Sequence, residues 1–214
     1  YILPALADSD HAAILIFSMM IGGTVGLIQK NGGTAAIVDV VTKWARSAGR
    51  GQFATAVLGV TVFFDDYANT LIVGGTMRPI TDRLRISREK LAYLVDSTAA
   101  PVACLAFVTT WIGYEVEQFE RVADFVGMEI GGYALFFQVL PYRFYCIFTL
   151  VFVALCCGLG RDFGPMLRAE RRALAGEPLR PGSRLLVSKA VAHMHPAEGV
   201  DLRWYNAVVP VVVV

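Results

Sequence analysis

Two adjacent carboxylates interrupt an otherwise apolar stretch of the chain. Asp65 and Asp66 lie between the apolar residues 53–63 and 71–77. An ionisable side chain costs about 2.5–3.5 kcal/mol at the centre of a membrane helix on insertion scales, so such groups usually belong to an ion path or a proton relay. The sequence therefore predicts that this acidic corner carries the function of the chain.

The composition indicates the environment of that corner. Hydrophobic residues make up 56% of the 214 positions and charged residues only 17%. This apolar share exceeds that of a typical soluble domain and predicts an all-α, polytopic transmembrane protein. The net charge of +1 gives no sign of a nucleic-acid partner. Because the chain starts without methionine and stops within an apolar run at 210–214, we expect a fragment of a longer helical transporter.

Two short apolar limbs, about 53–64 and 67–78, meet at the acidic corner. At a rise of about 1.5 Å per residue, each limb crosses only part of a hydrocarbon core about 30 Å thick. The limbs therefore form either one broken span or a re-entrant hairpin. Basic residues flank both outer ends: Lys43, Arg46 and Arg50 before the first limb, and Arg78, Arg83, Arg85, Arg88 and Lys90 after the second. Because positive flanks lie on the cytoplasmic side, the charges predict a re-entrant hairpin over about 53–78.

The rest of the topology follows from apolar length, prolines and charge. Further helical segments are expected at about 12–28, 34–48, 89–113 and 133–157, the second of them amphipathic. Prolines in the last two favour breaks at 96–101 and 141–143, giving discontinuous helices. An acidic flank and then an arginine-rich flank continue the alternation of charge. We therefore expect a transmembrane region over 1–159, a cytoplasmic loop over 160–205 and a further, cut transmembrane helix at 206–214.

The acidic corner has the chemistry of a shared cation and proton site. Asp65 and Asp66 cannot both be charged cheaply in a low-dielectric site, because like-charge repulsion and desolvation favour protonation of at least one. A monovalent cation would favour the ionised pair and expel a proton. Asn69 and Thr70 add neutral oxygens, which suit a hard cation, so these four residues form a predicted sodium site. Asp66 is alternatively an N-cap of the second limb, which leaves Asp65 unexplained.

A second polar group lies within the next apolar segment. Asp96, Ser97 and Thr98 are expected to form the opposite wall of the same site. The alternative is a polar contact between helices, which hydroxyl side chains often make in membranes. Thr76 is a weaker neighbour of the site, because helix hydroxyls often bond their own backbone.

Two arginines are candidates for a substrate contact or a gate. Arg78 lies at the end of the second limb, and Arg143 lies in an apolar segment where it needs a partner. Anchoring of the topology by basic residues is the plainer interpretation of Arg78. The four cysteines, Cys104, Cys146, Cys156 and Cys157, have no metal-ligand spacing and are interpreted as packing residues.

Several stretches resemble the NhaC-type sodium/proton antiporter family. The matching residues are 64–74, 77–83, 86–91, 95–102 and 111–114, with weaker similarity at 141–145. The resemblance implies a secondary transporter of the ion-transporter superfamily, built from two inverted repeats, of which about one is visible here. In sodium-coupled carboxylate carriers of that superfamily, a Ser-Asn-Thr motif lies at the hairpin tip. The segment Ala68-Asn69-Thr70 is similar to it, with alanine in place of serine.

The expected function is therefore exchange of sodium for protons across a bacterial-type cytoplasmic membrane. The expected partners are sodium ions, protons and the lipid bilayer, with a homodimer left open; neither enzymatic activity nor a resident cofactor is expected. A second hypothesis is sodium- or proton-coupled exchange of an organic acid such as malate or lactate, with Arg78 or Arg143 meeting the anion.

A third hypothesis, of another class, is an intramembrane aspartyl protease. Such enzymes need a second aspartate from a separate helix, and the sequence Gly158-Leu-Gly-Arg-Asp162 resembles the required motif with an inserted arginine. Because Asp162 lies at a basic membrane edge, we expect it to stay away from Asp65 and Asp66.

Overall fold

The computed structural model describes residues 16, 19–20, 23–24, 26–28, 30–63, 65–107, 109–183, 196–197 and 199–213. Its helices are α1 (Gly33–Trp44), α2 (Ala48–Thr61), α3 (Asp66–Arg83), α4 (Arg88–Leu105), α5 (Thr110–Val126), α6 (Gly132–Val139), α7 (Phe144–Leu159), α8 (Gly164–Leu174) and α9 (Tyr205–Val213). Those residues contain no strand, which confirms the all-α class. Most of the first predicted segment, 12–28, lies outside the described residues, as do Phe64 and residues 184–195.

The chain divides into two compact units. One is formed by Tyr1–Lys43 with Arg184–Val214, and the other by Trp44–Ser183. In the first unit, the side-chain amides of Asn31 and Asn206 each donate to the other residue's backbone carbonyl, at 3.0 and 2.9 Å. The second unit contains every residue of the predicted site.

Helices α2 and α3 form an antiparallel hairpin. Near the start of α2, a Cβ on Gly51 would lie 2.5 Å from Cδ1 of Leu84, which follows α3. At the other end, the Asn69 side-chain amide of α3 donates to the carbonyl of Gly59 in α2, at 2.6 Å. Both contacts together require that the chain turns back on itself. The geometry is therefore that of a hairpin and not of one straight, broken span, and its re-entry into a membrane stays a prediction.

Helix α4 packs against both limbs of the hairpin, and the predicted break at 96–101 is wrong. The helix runs unbroken from Arg88 to Leu105 with Pro101 inside it. An internal proline costs about 3 kcal/mol, whereas each buried leucine or valine contributes about 1.5–3 kcal/mol. The buried face of α4 carries several such residues: Leu91, Leu94, Val95 and Val102. Burial along the whole helix therefore outweighs the local cost of the proline.

The predicted interruption at 141–143 is confirmed. Helix α6 passes into a 3-10 turn at Leu140–Tyr142, and α7 begins at Phe144. The two helical parts meet at an angle of 48°. In the part of the chain that the structure describes, no helix taken singly has the length and apolarity to cross a bilayer. The bent pair Gly132–Tyr142 with Phe144–Leu159 meets that requirement by length and composition.

The segment predicted as a cytoplasmic loop contains a docked helix, α8. Glu170 of this helix accepts hydrogen bonds from the backbone N–H of Ser87, at 2.8 Å, and from the side chain of Gln52, at 3.3 Å. Arg172 binds both carboxylate oxygens of Glu89 at 2.7 Å. Glu170 thus bridges the start of α2 and the N-cap of α4, so α8 holds the end of the hairpin opposite its tip.

Candidate functional site

The hairpin tip buries the first of the two predicted acids. Asp65 immediately precedes α3 and is only 5% exposed. Its backbone carbonyl accepts the N–H of Asn69 at 3.0 Å, which begins the hydrogen bonding of α3. A carboxylate next to a helix N-terminus is stabilised by the backbone amides and the helix dipole. The fold therefore places a buried carboxyl group at the start of α3.

Asn69 closes the tip and leaves one acceptor unused. Its side chain is fully buried, and the amide nitrogen donates to the carbonyls of Gly59 at 2.6 Å and Val62 at 2.9 Å. Because carbonyls only accept, the nitrogen must face them and the amide oxygen points elsewhere. That oxygen is buried and has no hydrogen-bond partner among the described residues. An unsatisfied buried acceptor costs about 1–3 kcal/mol, and a cation or a donor would recover that cost.

Helix α4 reaches the same tip through Thr98. A Cβ on Gly59 would lie 2.0 Å from the Thr98 hydroxyl oxygen, so the two helices approach as closely as glycine allows. Thr98 and its neighbour Ser97 are both buried, and the Thr98 hydroxyl donates to the carbonyl of Leu94 at 2.8 Å. Thr98 and Asn69 therefore both contact Gly59, Thr98 beside its Cα and Asn69 at its carbonyl. Their service as two walls of one site stays a prediction.

Asp66 is held by a residue that was not predicted as part of the site. Its carboxylate accepts the backbone N–H of Tyr67 at 3.1 Å and the indole N–H of Trp111 at 3.2 Å. Unlike Asp65, it is partly exposed. An indole N–H in an apolar chain needs an acceptor, which is the signal in the sequence that could have identified Trp111.

Two predicted site residues lie away from the buried tip. Asp96 and Thr70 are both exposed. Residues two apart on a helix differ by about 200° around the axis, so Asp96 cannot share the face that Thr98 presents to Gly59. Thr70 is likewise rotated by about 100° from Asn69. For these two residues the prediction of a direct ligand role is not supported, because sequence adjacency does not place side chains on one helix face.

Thr76 and Arg78 lie too far along α3 to contact the acids. They follow Asp66 by 10 and 12 residues, which corresponds to about 15 and 18 Å along the helix. Thr76 is fully buried and its hydroxyl has no partner among the described residues, whereas Arg78 is partly exposed. Because the helix is continuous from Asp66 to Arg83, this distance separates Arg78 from the acids of the tip. The role of Arg78 as a substrate contact or gate stays a prediction.

Arg143 forms a clamp between helices. Its guanidinium binds both carboxylate oxygens of Glu115, at 2.5 and 3.0 Å, and donates to the carbonyl of Cys104 at 2.9 Å. It also lies over the ring of Phe136, 4.9 Å from the centroid. The predicted need for a partner is met by an acid of the flank after α4. Arg143 thus binds partners within the protein, whereas the sequence predicted a contact with substrate or a role in a gate.

We expect Arg143→Met to destabilise the full-length protein by about 1–3 kcal/mol, because it leaves the half-buried carboxylate of Glu115 without its partner. The double variant Arg143→Met/Glu115→Gln should recover part of that loss. Unfolding midpoints in detergent would measure both. Arg121→Met is the matched control, since Arg121 forms an exposed pair with Glu117 one helical turn away, and its effect should stay within about 0.5 kcal/mol. Equal effects of the two single variants would contradict the clamp.

The polar groups at the tip are oxygen ligands. Within the described residues, no group of three or more histidine, cysteine, aspartate or glutamate side chains is arranged to hold a metal ion. Carboxylate, amide and backbone oxygens are instead the groups present, and hard cations prefer oxygen. The four cysteines carry free thiols, and three of them are buried.

Comparisons with known proteins provide one relative. No protein-family model and no solved structure matches the chain. An uncharacterised protein of Haemophilus influenzae is 31% identical over 171 residues, which cover 78% of this chain and 32% of that protein. The chain thus spans about a third of the length of the curated relative that it matches. Membership of the antiporter family stays a prediction.

Proposed function

We propose that this chain is part of a secondary transporter that exchanges sodium for protons at the tip of the α2–α3 hairpin. One observation carries the proposal: Asp65, whose carboxyl group is buried, and Asn69, whose buried amide oxygen has no partner among the described residues, are one helical turn apart at the start of α3. A carboxylate together with a neutral oxygen suits a hard cation.

The two acids have different tasks in this mechanism. Asp65 is the buried carboxylate that a sodium ion and a proton occupy in turn, because each favours the departure of the other from a low-dielectric site. Asn69 supplies a neutral ligand whose direction is fixed by its two bonds to backbone carbonyls. Asp66 lies nearer the surface, held by Trp111, and its charge raises the local concentration of cations.

The exposed face of α7 supports a membrane location. Large apolar side chains recur there every three or four residues without being covered: Phe144, Phe148, Val151, Leu155 and Leu159. Contiguous apolar surface of this kind usually contacts lipid or another protein. The bent pair of α6 and α7, which meets the span requirement, carries this face.

The two alternatives have less support. An exchanger of organic acids needs a free cation near the site, whereas Arg143 is bound to Glu115 and Arg78 lies about 18 Å along α3 from Asp66. A protease needs a second aspartate at the tip. Asp162 instead pairs with Lys90 at 2.5 Å, and Lys90 lies eight residues, or about 12 Å, before Thr98 on α4.

Everted membrane vesicles containing the full-length protein test the proposal. After respiration makes the interior acidic, addition of sodium chloride should release protons without any organic acid. Choline chloride and vesicles lacking the protein are the controls. Proton release that requires malate or lactate would support the second hypothesis and overturn the first, and so would the absence of any response to sodium.

A further inference from the structure

Helix α8 and the short segment before it carry exposed arginines that form no ion pair among the described residues. They are Arg161, Arg168 and Arg171. Four other cations of this end are engaged: Arg85 with the carbonyl of Leu174, Arg88 with Asp82, Lys90 with Asp162, and Arg172 with Glu89. These three arginines, which we term the outer arginines, are therefore available to a partner.

The two outer arginines within α8, Arg168 and Arg171, lie on its outer side. Ala169 and Ala173 form its buried side, and Arg171 lies about 200° from each of them around the axis. Arg168 is within about 60° of Arg171. The acid of this helix, Glu170, is directed into the fold by its bonds to Ser87 and Gln52. The outer surface of α8 is consequently basic, with no acid of its own helix to balance it.

The partner follows from where this surface lies in the chain. Only residues 160–163 separate α8 from α7, the helix with the uncovered apolar face, and the exposed side chains of Phe163 and Leu174 lie at the two ends of α8. Basic clusters directly after an apolar span attract anionic lipids, and a guanidinium binds phosphate oxygens in bidentate fashion. We propose that the outer arginines bind the phosphate groups of anionic phospholipids at the membrane surface. This inference rests on the proposed membrane location, and not on sodium or proton exchange.

Lipid titration of the delipidated, full-length protein tests this surface. Dioleoyl phosphatidylglycerol should raise the unfolding midpoint in detergent, and dioleoyl phosphatidylcholine should not. Each basic residue near an anionic membrane contributes about 1 kcal/mol, or about fivefold in affinity. The triple variant Arg161→Gln/Arg168→Gln/Arg171→Gln should therefore need at least about tenfold more phosphatidylglycerol for half of the effect. Its midpoint without lipid should be unchanged, because none of these side chains is buried.

Two variants and two further probes make the result specific. Lysine at all three positions should preserve most of the affinity, because the charge is kept, and Arg121→Gln on α5 should behave as the wild type. Glycerol 3-phosphate should have no effect, which separates a lipid surface from a site for free phosphate. An unchanged titration in the glutamine variant would overturn the proposal, and so would a midpoint that responds to polyglutamate but not to phosphatidylglycerol. Loss of sodium-driven proton release with an intact lipid titration would remove only the exchange proposal.

Discussion

Replacement of Asp66 by asparagine should slow sodium-driven proton movement in vesicles that contain the full-length protein, because Asp66 raises the local concentration of cations, whereas Asp65→Asn should abolish it. Asparagine keeps the size and the oxygen of the side chain but removes the charge that sodium and the proton share. Without that charge, neither the sodium ion nor the proton binds at position 65, so neither can displace the other. In the Asp65 variant, proton release should fall to the level of vesicles without the protein. The initial rate of pH change after addition of sodium is the measurement.

The control for these variants is Asp124→Asn. Asp124 is an exposed aspartate on α5, so its replacement makes the same chemical change outside the tip. It should leave the exchange rate unchanged. The amount of each variant in the membrane must equal that of the wild type, which separates lost chemistry from lost folding. Exchange at the wild-type rate in the Asp65 variant would refute the assignment of the site.

The second large effect should come from a methyl group at position 59. In Gly59→Ala the new Cβ would lie 2.0 Å from the Thr98 hydroxyl oxygen and 2.7 Å from the Thr98 Cβ. The hydroxyl can rotate away, but the Cβ moves only with the backbone of α4. Overpacking of this kind costs about 1–3 kcal/mol. The unfolding midpoint of the full-length protein should fall accordingly, and exchange should weaken because Asn69 binds the carbonyl of the same glycine.

Two further variants define the cause of that effect. Gly74→Ala on α3 has open space around the new methyl group, so it should be neutral or slightly stabilising, since alanine favours helix over glycine. Combining Gly59→Ala with Thr98→Ala should restore part of the lost stability, because the shorter side chain leaves only the 2.7 Å contact to relieve. If the stability losses of Gly59→Ala and Thr98→Ala simply add in the double variant, the close approach of α2 and α4 is not the cause of the Gly59→Ala effect.

The hairpin was predictable because its signals are local. Apolar length, the acidic corner and the basic flanks on both sides are all readable along the chain, and they predict a turn where the structure has one. The interruption before Phe144 was predictable for the same reason, since Pro141 restricts its own backbone. Signals of this kind do not depend on contacts with residues that are distant in sequence.

The composition of the site was less predictable because it depends on helix rotation. Asp96, Ser97 and Thr98 are adjacent in sequence, yet only the last two are buried. The order of the residues alone does not say which side of α4 faces the hairpin. The partners of Arg143 and Lys90 are separated from them by 28 and 72 residues, and only folding brings such residues together.

The side-chain amide of Asn69 also limits the number of formal charges at the hairpin tip. The amide nitrogen of Asn69 donates to two backbone carbonyls. An aspartate at position 69 would instead place a third negative charge next to the partial negative charges of those two carbonyl oxygens. The fold thereby limits the tip to two formal charges, one buried and one near the surface. With a single proton or a single sodium ion bound there, the tip bears the same net charge. The electrostatic interaction of the hairpin with its surroundings would then be the same with a proton bound as with a sodium ion bound.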